Sequence, residues 1–263
     1  MTVPDPTFDG RPACLVLHGL GGGAFELRPL IEGLERAGCA VLAPTLPGHE
    51  VLGPVMPGST WPEWVATAEA GFDELARRGR PVVVLGFSTG GTIALMLATR
   101  RPVARLVLLA PFLAIRFGGL IPLPASLYLR PFARWMPDLP RRPAPVRDPE
   151  ARRRIDAVER FRTFSLRATL SALELIDRVG PLLPTIVVPT LILQGARDTV
   201  VDPPAAARLA RRLGSAHKVL LRFPRSDHLL ALDFERGRVV AACVSFALDP
   251  GQSPVQRMDD PEE

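Results

Sequence analysis

The stretch Gly86-Phe87-Ser88-Thr89-Gly90 constrains this chain more than any other. An apolar run, Pro81 to Leu85, leads directly into it, and a helix-like run, Gly91 to Thr99, leads directly out. That order spells strand, sharp turn and helix, with a serine at the apex. In such a turn the serine sits on strained backbone and its hydroxyl projects clear of the sheet edge. Bulky neighbours two positions either side would clash, so glycine suits Gly86 and Gly90. The N–H of Thr89 then lies at the start of a helix, where negative charge is favoured. The plainer alternative is a glycine-rich turn that only packs a helix on a sheet.

The surroundings repeat the same alternation. Strands are predicted over Ala13 to Leu17, Ala40 to Pro44, Pro81 to Leu85, Arg105 to Ala110, Thr190 to Gln194 and Lys218 to Phe223. Helices are predicted over Phe25 to Ala37, Trp61 to Arg78, Gly91 to Arg100, Pro204 to Leu213 and Glu235 to Leu248. Apolar runs alternating with helical periodicity imply an α/β fold: a mostly parallel central sheet with helices on both faces. The alternation stops between Phe112 and Pro184, where eight prolines from Pro122 to Pro149 precede a helical stretch from Pro149 to Val179. A connection that long carries structure or function of its own. It reads as a cap inserted over the strand ends, with a proline-rich surface excursion as the alternative. The chain thus divides into core (1–111), cap (112–184), core (185–248) and a polar, acidic-ended tail (249–263) expected to be disordered.

With 263 residues, 47% of them hydrophobic, the chain can bury a full core. No apolar run is long enough for a membrane span, and the polar N-terminus has no secretory pattern. Cys14, Cys39 and Cys243 lie in apolar runs without metal-like spacing, so they read as buried thiols in a reducing, cytoplasmic compartment. The net charge of +5 is concentrated in 112–184, where 13 arginines face 7 acids. With one lysine against 31 arginines in the chain, the imbalance reads as compositional bias rather than a binding role, and no nucleic-acid partner is expected. The excess reads first as a solvated face. Its functional alternative is attraction to anionic substrates or transient contact with an anionic lipid surface.

A serine needs a base to take its proton, and the base needs an acid to orient it. Of four histidines, His228 follows the last strand, at the same sheet edge as Ser88, whereas His217 precedes that strand and belongs at the opposite edge. His18 is read as shaping the loop that it begins. His49 lies in a loop that faces either the site or solvent. Asp198, in the loop after Thr190 to Gln194, fits the acid. Asp202 is its rival, and Asp227 adjoins His228 but should point away from it. The first strand ends in His18-Gly19-Leu20-Gly21-Gly22-Gly23, where Gly19 lets backbone approach a substrate carbonyl. The N–H groups of Leu20 and Thr89 are the candidate oxyanion donors. A phosphate loop is excluded by pattern, because no lysine follows and there is no G-x-G-x-x-G.

These stretches, with Pro44-Thr45-Leu46-Pro47-Gly48-His49, the Trp61 to Trp64 helix start, Leu193 to Asp198 and Ser226-Asp227-His228, resemble the α/β-hydrolases, in particular the bacterial carboxylesterase and monoacylglycerol-lipase branch. The resemblance implies ester hydrolysis through an acyl-enzyme, with Ser88, Asp198 and His228 as triad and no metal or organic cofactor. Substrates would be small esters or lipid-like molecules, and Phe112, Ile115 and Leu120 in the cap could line the acyl pocket or simply pack it down. Thioesters, lactones and amides suit the same triad, as does a perhydrolase. A binding protein that keeps the fold without turnover is the reading from another class. Two departures stand out: Asp227 occupies a position that is often glycine in the family, and the cap is rich in arginine and proline.

Overall fold

The computed structural model describes residues 10–51, 53–114, 138–157 and 161–249. In chain order its strands are β1 (Ala13–Leu17), β2 (Ala40–Leu42), β3 (Val82–Phe87), β4 (Arg105–Leu109), β5 (Asp138–Pro140), β6 (Thr163–Ser165), β7 (Thr190–Gly195) and β8 (Lys218–Phe223). Its α-helices are α1 (Arg28–Arg36), α2 (Trp61–Ala76), α3 (Thr89–Ala98), α4 (Pro149–Asp156), α5 (Leu166–Val179), α6 (Pro204–Arg212) and α7 (Arg236–Leu248). Six strands form one sheet in the order β2-β1-β3-β4-β7-β8, and every neighbouring pair is parallel. The fold is that of an α/β-hydrolase.

The strand sequences explain the layers. Side chains alternate between sheet faces, and here both faces are covered. Leu15, Leu17, Val82, Val84, Leu106, Leu108 and Ile192 enter one core with residues of α2, α3 and α5. Cys14, Val16, Val83, Leu85, Val107, Leu109, Leu191 and Leu193 enter the other, with residues of α1 and α7. Burial on both faces is why these strands read as continuous apolar runs, and each such side chain contributes about 1.5–3 kcal/mol. The three cysteines form no disulfide and are buried among them. Burial pushes the Cys243 thiol far above its ordinary range.

Local chemistry sets the ends. Thr60 and Glu63 form a reciprocal capping box at the start of α2, a motif that satisfies two otherwise orphaned helix N–H groups. The strand expected to run to Pro44 stops at Leu42, since a proline has no N–H to give a ladder. The expected helical stretch from Pro149 to Val179 is two helices. Asp148 caps α4 through the N–H groups of Glu150 and Ala151. Thr163-Phe164-Ser165 then pairs as β6 with β5 in an antiparallel ribbon, and Ser165 caps α5 through the Ala168 N–H. A β-favouring triplet ending in a helix cap breaks the pattern that hydrophobic period alone carries through. Helix α5 packs on α2 and α3, and its Ala168, Ala172, Leu175 and Val179 join the core.

Among the described residues no helix is long and apolar enough to cross a membrane. Because the sheet is parallel, β1, β3, β7 and β8 all end at one edge, and the loops after them carry His18, Ser88, Asp198 and His228. That edge is where such sheets place their sites.

Candidate active site

Ser88 stands between β3 and α3 with φ 53° and ψ −120°, a backbone region that L residues rarely adopt. The surroundings hold it there. A Cβ on Gly86 would meet the Gly90 carbonyl oxygen at 2.3 Å, and one on Gly90 would meet the Leu17 oxygen at 2.2 Å. The turn is therefore wedged between its own helix and the end of β1. Both glycines are needed for backbone to pass backbone at that distance.

From Ser88 a chain of hydrogen bonds runs inward. Its hydroxyl lies 3.0 Å from His228 Nε2, and His228 Nδ1 lies 2.9 Å from Asp198 Oδ2. All three side chains are buried, Asp198 completely. Asp198 Oδ1 accepts the N–H groups of Val200 and Val201, each at 2.8 Å, and Oδ2 also accepts Gln194 Nε2 at 2.8 Å. Burial alone would push the Asp198 carboxyl up, but the charge and hydrogen bond of His228 and the two backbone donors outweigh it and hold it below its ordinary value. Burial likewise disfavours charged His228, and the facing Asp198 more than offsets this, so the imidazole titrates above its ordinary range.

The other candidates are placed as follows. Gly19 lies against the serine, since a Cβ there would sit 3.1 Å from Ser88 Cβ. The N–H groups of Leu20 and Thr89 donate to no protein acceptor among the described residues. Phe112 gives its N–H to the Ser88 carbonyl at 3.0 Å while its ring packs in the core. Ile115 and Leu120 lie outside the described residues, as does 250–263 of the expected tail. His217 is exposed and stacks on Phe246, remote from this edge in sequence order along β8. Asp202 pairs with Arg208 at 2.7 Å. Asp227 turns its carboxylate to Thr199.

His49 faces inward. Its Nε2 accepts the Gly21 N–H at 2.8 Å, and His18 Nε2 accepts the Leu46 N–H at 3.0 Å. Accepting there requires each ring to carry its proton on Nδ1, where backbone carbonyls receive it. The two rings meet edge to face, 4.9 Å apart, and brace the glycine loop beside Ser88. Burial, then the neighbouring His49, lowers His18 from 6.5 to about 4. An unfolded chain would take up that proton near 6.5, so the stability due to neutral His18 is complete above that pH and is lost as pH falls toward 4. The loss should be on the order of 2–3 kcal/mol. Urea unfolding from about pH 7 to about pH 4 measures it, and His18→Asn should flatten the slope. Equal slopes would show that the folded protein does not hold His18 neutral.

Three contributors escaped the sequence reading. Gln194, one residue before the end of β7, donates to Asp198. Its other amide atom, Oε1, is buried without a partner, so a flipped amide would set oxygen against carboxylate. Arg141, just after β5, pairs with buried Glu26 at 3.5 Å and also donates to the Gly21 carbonyl. Its guanidinium lies over the Phe164 ring, 5.1 Å from the centroid. The ribbon between β4 and β7 is thus fastened to the loop beside the serine. The only sequence signal was an acid at 26 flanked by Phe25 and Leu27.

Residues 9–235 match the family described as Serine aminopeptidase, S33. The thermostable monoacylglycerol lipase of Bacillus sp. (strain H-257) is 29% identical over 245 residues, covering 90% of this chain and 91% of that protein. The pimeloyl-[acyl-carrier protein] methyl ester esterase of Aromatoleum aromaticum is 32% identical over 240 residues, covering 83% of this chain and 91% of that one. The monoacylglycerol lipase of Paleococcus ferrophilus superposes with a TM-score of 0.77 at 25% identity, covering 92% of this chain and 97% of that chain.

Proposed function

The chain belongs to the serine aminopeptidase S33 family of α/β-hydrolases, and from that premise we propose that it is a serine hydrolase of carboxylic esters, short or medium acyl esters or monoacylglycerols. The observation that carries the reading is the Ser88–His228–Asp198 chain of contacts at 3.0 and 2.9 Å. His228 takes the Ser88 proton as Oγ attacks the ester carbonyl. The N–H groups of Leu20 and Thr89 receive the charge that develops on the carbonyl oxygen. His228 returns its proton to the leaving alcohol, and an acyl-serine remains. Water, deprotonated by His228, then releases the acid and regenerates the hydroxyl. Asp198 keeps the Nδ1–H tautomer and stabilises the imidazolium in both halves.

The segment 112–184 serves as the cap, anchored by α5 and fastened to the site by Arg141. Small esters or lipid-like molecules are the partners, and its arginine excess leaves room for transient contact with an anionic surface. Three buried cysteines that form no disulfide fit a reducing, cytoplasmic setting.

Hydrolysis of p-nitrophenyl esters from acetate to palmitate, beside 1-monoacylglycerols, tests the reading. Serine-dependent turnover peaking at short or medium chains makes the protein a carboxylesterase, and a peak at long chains extending to monoacylglycerols makes it a lipase. The family's description favours one further substrate class, peptide amides with a free N-terminus. Turnover of aminoacyl p-nitroanilides without ester turnover would move the assignment there.

A further inference from the structure

Asp227 holds the position before the histidine that is often glycine in the family, and its side chain is engaged. Its Oδ1 accepts the Thr199 N–H at 2.8 Å, the Thr199 hydroxyl at 2.9 Å and the His228 N–H at 2.8 Å. Thr199 directly follows the acid Asp198, and Asp227 directly precedes His228. Two adjacent pairs therefore face each other across two loops. One rung is Asp198 to His228 Nδ1, and the other is Thr199 to Asp227. The backbone adds to the same seam, with Ala196 N–H on the Phe223 carbonyl at 2.9 Å and Arg197 N–H on the Ser226 carbonyl at 3.2 Å. From behind, buried Asp233 accepts the Asp227 N–H at 2.7 Å.

Resting on the triad reading above, we propose that Asp227 is a positioning residue for the base: its carboxylate clasps the acid loop to the histidine loop, and its charge strengthens the imidazole as a proton acceptor. A glycine there would supply neither effect. Hydrogen bonds that fix a short donor–acceptor distance matter in a site where small misplacements are costly. The carboxylate is buried, so its charge is little screened.

The charged groups around the imidazole come from three elements. Asp198 faces it from the loop after β7, Asp227 adjoins it, and Glu26, paired with Arg141, acts from the turn before α1. All three carboxylates favour the imidazolium. Behind Asp227, Asp233 is engaged by the N–H groups of Arg147 and Asp148, and Arg236 pairs with Asp148. Removing the Asp227 charge takes away one term that favours protonation, so His228 should release its proton at lower pH. The acid limb of kcat/KM, which reports the free enzyme, should follow it downward.

Asp227→Asn keeps an acceptor oxygen and loses the charge. It should shift the acid limb down by about half a pH unit while kcat on the plateau stays within about threefold. Asp227→Ala loses both, and should add a fall in kcat of about tenfold or more with little change in KM. Thr199→Val removes one bond and leaves the charge, and should lower kcat about threefold with the limb in place. The rate at which a fluorophosphonate labels Ser88, followed from about pH 5 to about pH 9, reads the same limb without any assumption about substrate. An unmoved limb in Asp227→Asn, or wild-type kcat in Asp227→Ala, overturns the proposal. Should Asp227→Ala fail to fold, the Asn limb and the Thr199→Val rate decide it. Labelling of wild type without turnover of any ester removes the ester reading and leaves this test intact, whereas a wild type that does not label removes both.

Discussion

Ser88→Ala is expected to lower kcat by about a million-fold and to leave the melting temperature within a few degrees of wild type. Both parts follow from the turn. The hydroxyl is the group His228 Nε2 reaches, at 3.0 Å, and no other hydroxyl is hydrogen-bonded to that nitrogen among the described residues. Its loss leaves background catalysis by the oxyanion donors alone. The fold does not depend on it, because the turn is held by backbone: the Ser88 N–H on the Leu109 carbonyl at 2.9 Å, and the Gly91 and Phe112 N–H groups on the Ser88 carbonyl at 2.9 and 3.0 Å. Alanine inherits the backbone strain at φ 53°, whereas glycine would not. Ser88→Gly should therefore be equally inactive and yet melt above Ser88→Ala, by an amount worth about 1 kcal/mol once the entropy cost of glycine is deducted. Paired assays and melts check both. Residual kcat above about a hundredth of wild type in the alanine variant would mean that Ser88 is not the nucleophile.

The meeting of Ser88, His228 and Asp198 was legible because each lies in a loop whose place is set by the strand before it. Once Pro81 to Leu85, Thr190 to Gln194 and Lys218 to Phe223 are read as parallel neighbours, Ser88, Asp198 and His228 must share an edge. The observed order of β3, β4, β7 and β8 brings them there. Gln194 apart, which lies four residues from Asp198, the contacts that escaped notice join pairs that only folding brings together. Gly21 and His49 are 28 residues apart and Asp227 and Thr199 are also 28 apart, and no local pattern links the members. The Glu26–Arg141 pair is of the same kind: an acid beside apolar residues is visible, but its partner, one of 31 arginines in the chain, is not. His49 shows the limit most plainly. Its loop could be read but not its direction, because the direction depends on an acceptor being needed by a glycine N–H of another loop. The division of Pro149 to Val179 into two helices fails for the opposite reason. There the signal was local, in Thr163, Phe164 and Ser165, and a helical period on either side masked it.

Asp198→Asn is expected to cost about 10⁴-fold in kcat, and Asp202→Asn almost nothing. The hydrogen bonds around Asp198 explain why so small a change acts so strongly. Oδ1 faces two backbone donors, Val200 and Val201, and Oδ2 faces His228 Nδ1 and Gln194 Nε2. An asparagine must turn its NH₂ toward one of these sides. Backbone N–H groups cannot become acceptors, so the amide oxygen stays with Val200 and Val201 and the NH₂ points at His228. The imidazole can meet it only by accepting at Nδ1, which moves the ring proton to Nε2. A protonated Nε2 donates to Ser88 instead of taking its proton, and the base is lost with the geometry almost unchanged. Asp202 is partly exposed and paired with Arg208, side chains 32% and 49% accessible. Breaking such a surface pair costs about 0–1 kcal/mol of stability and touches no proton in the reaction. Kinetics of the two variants over the same pH range, with melts as control, separate the cases. If Asp202→Asn proved the more damaging, the acid would have to be reassigned, and with it the tautomer that the whole proton route from Ser88 through His228 requires.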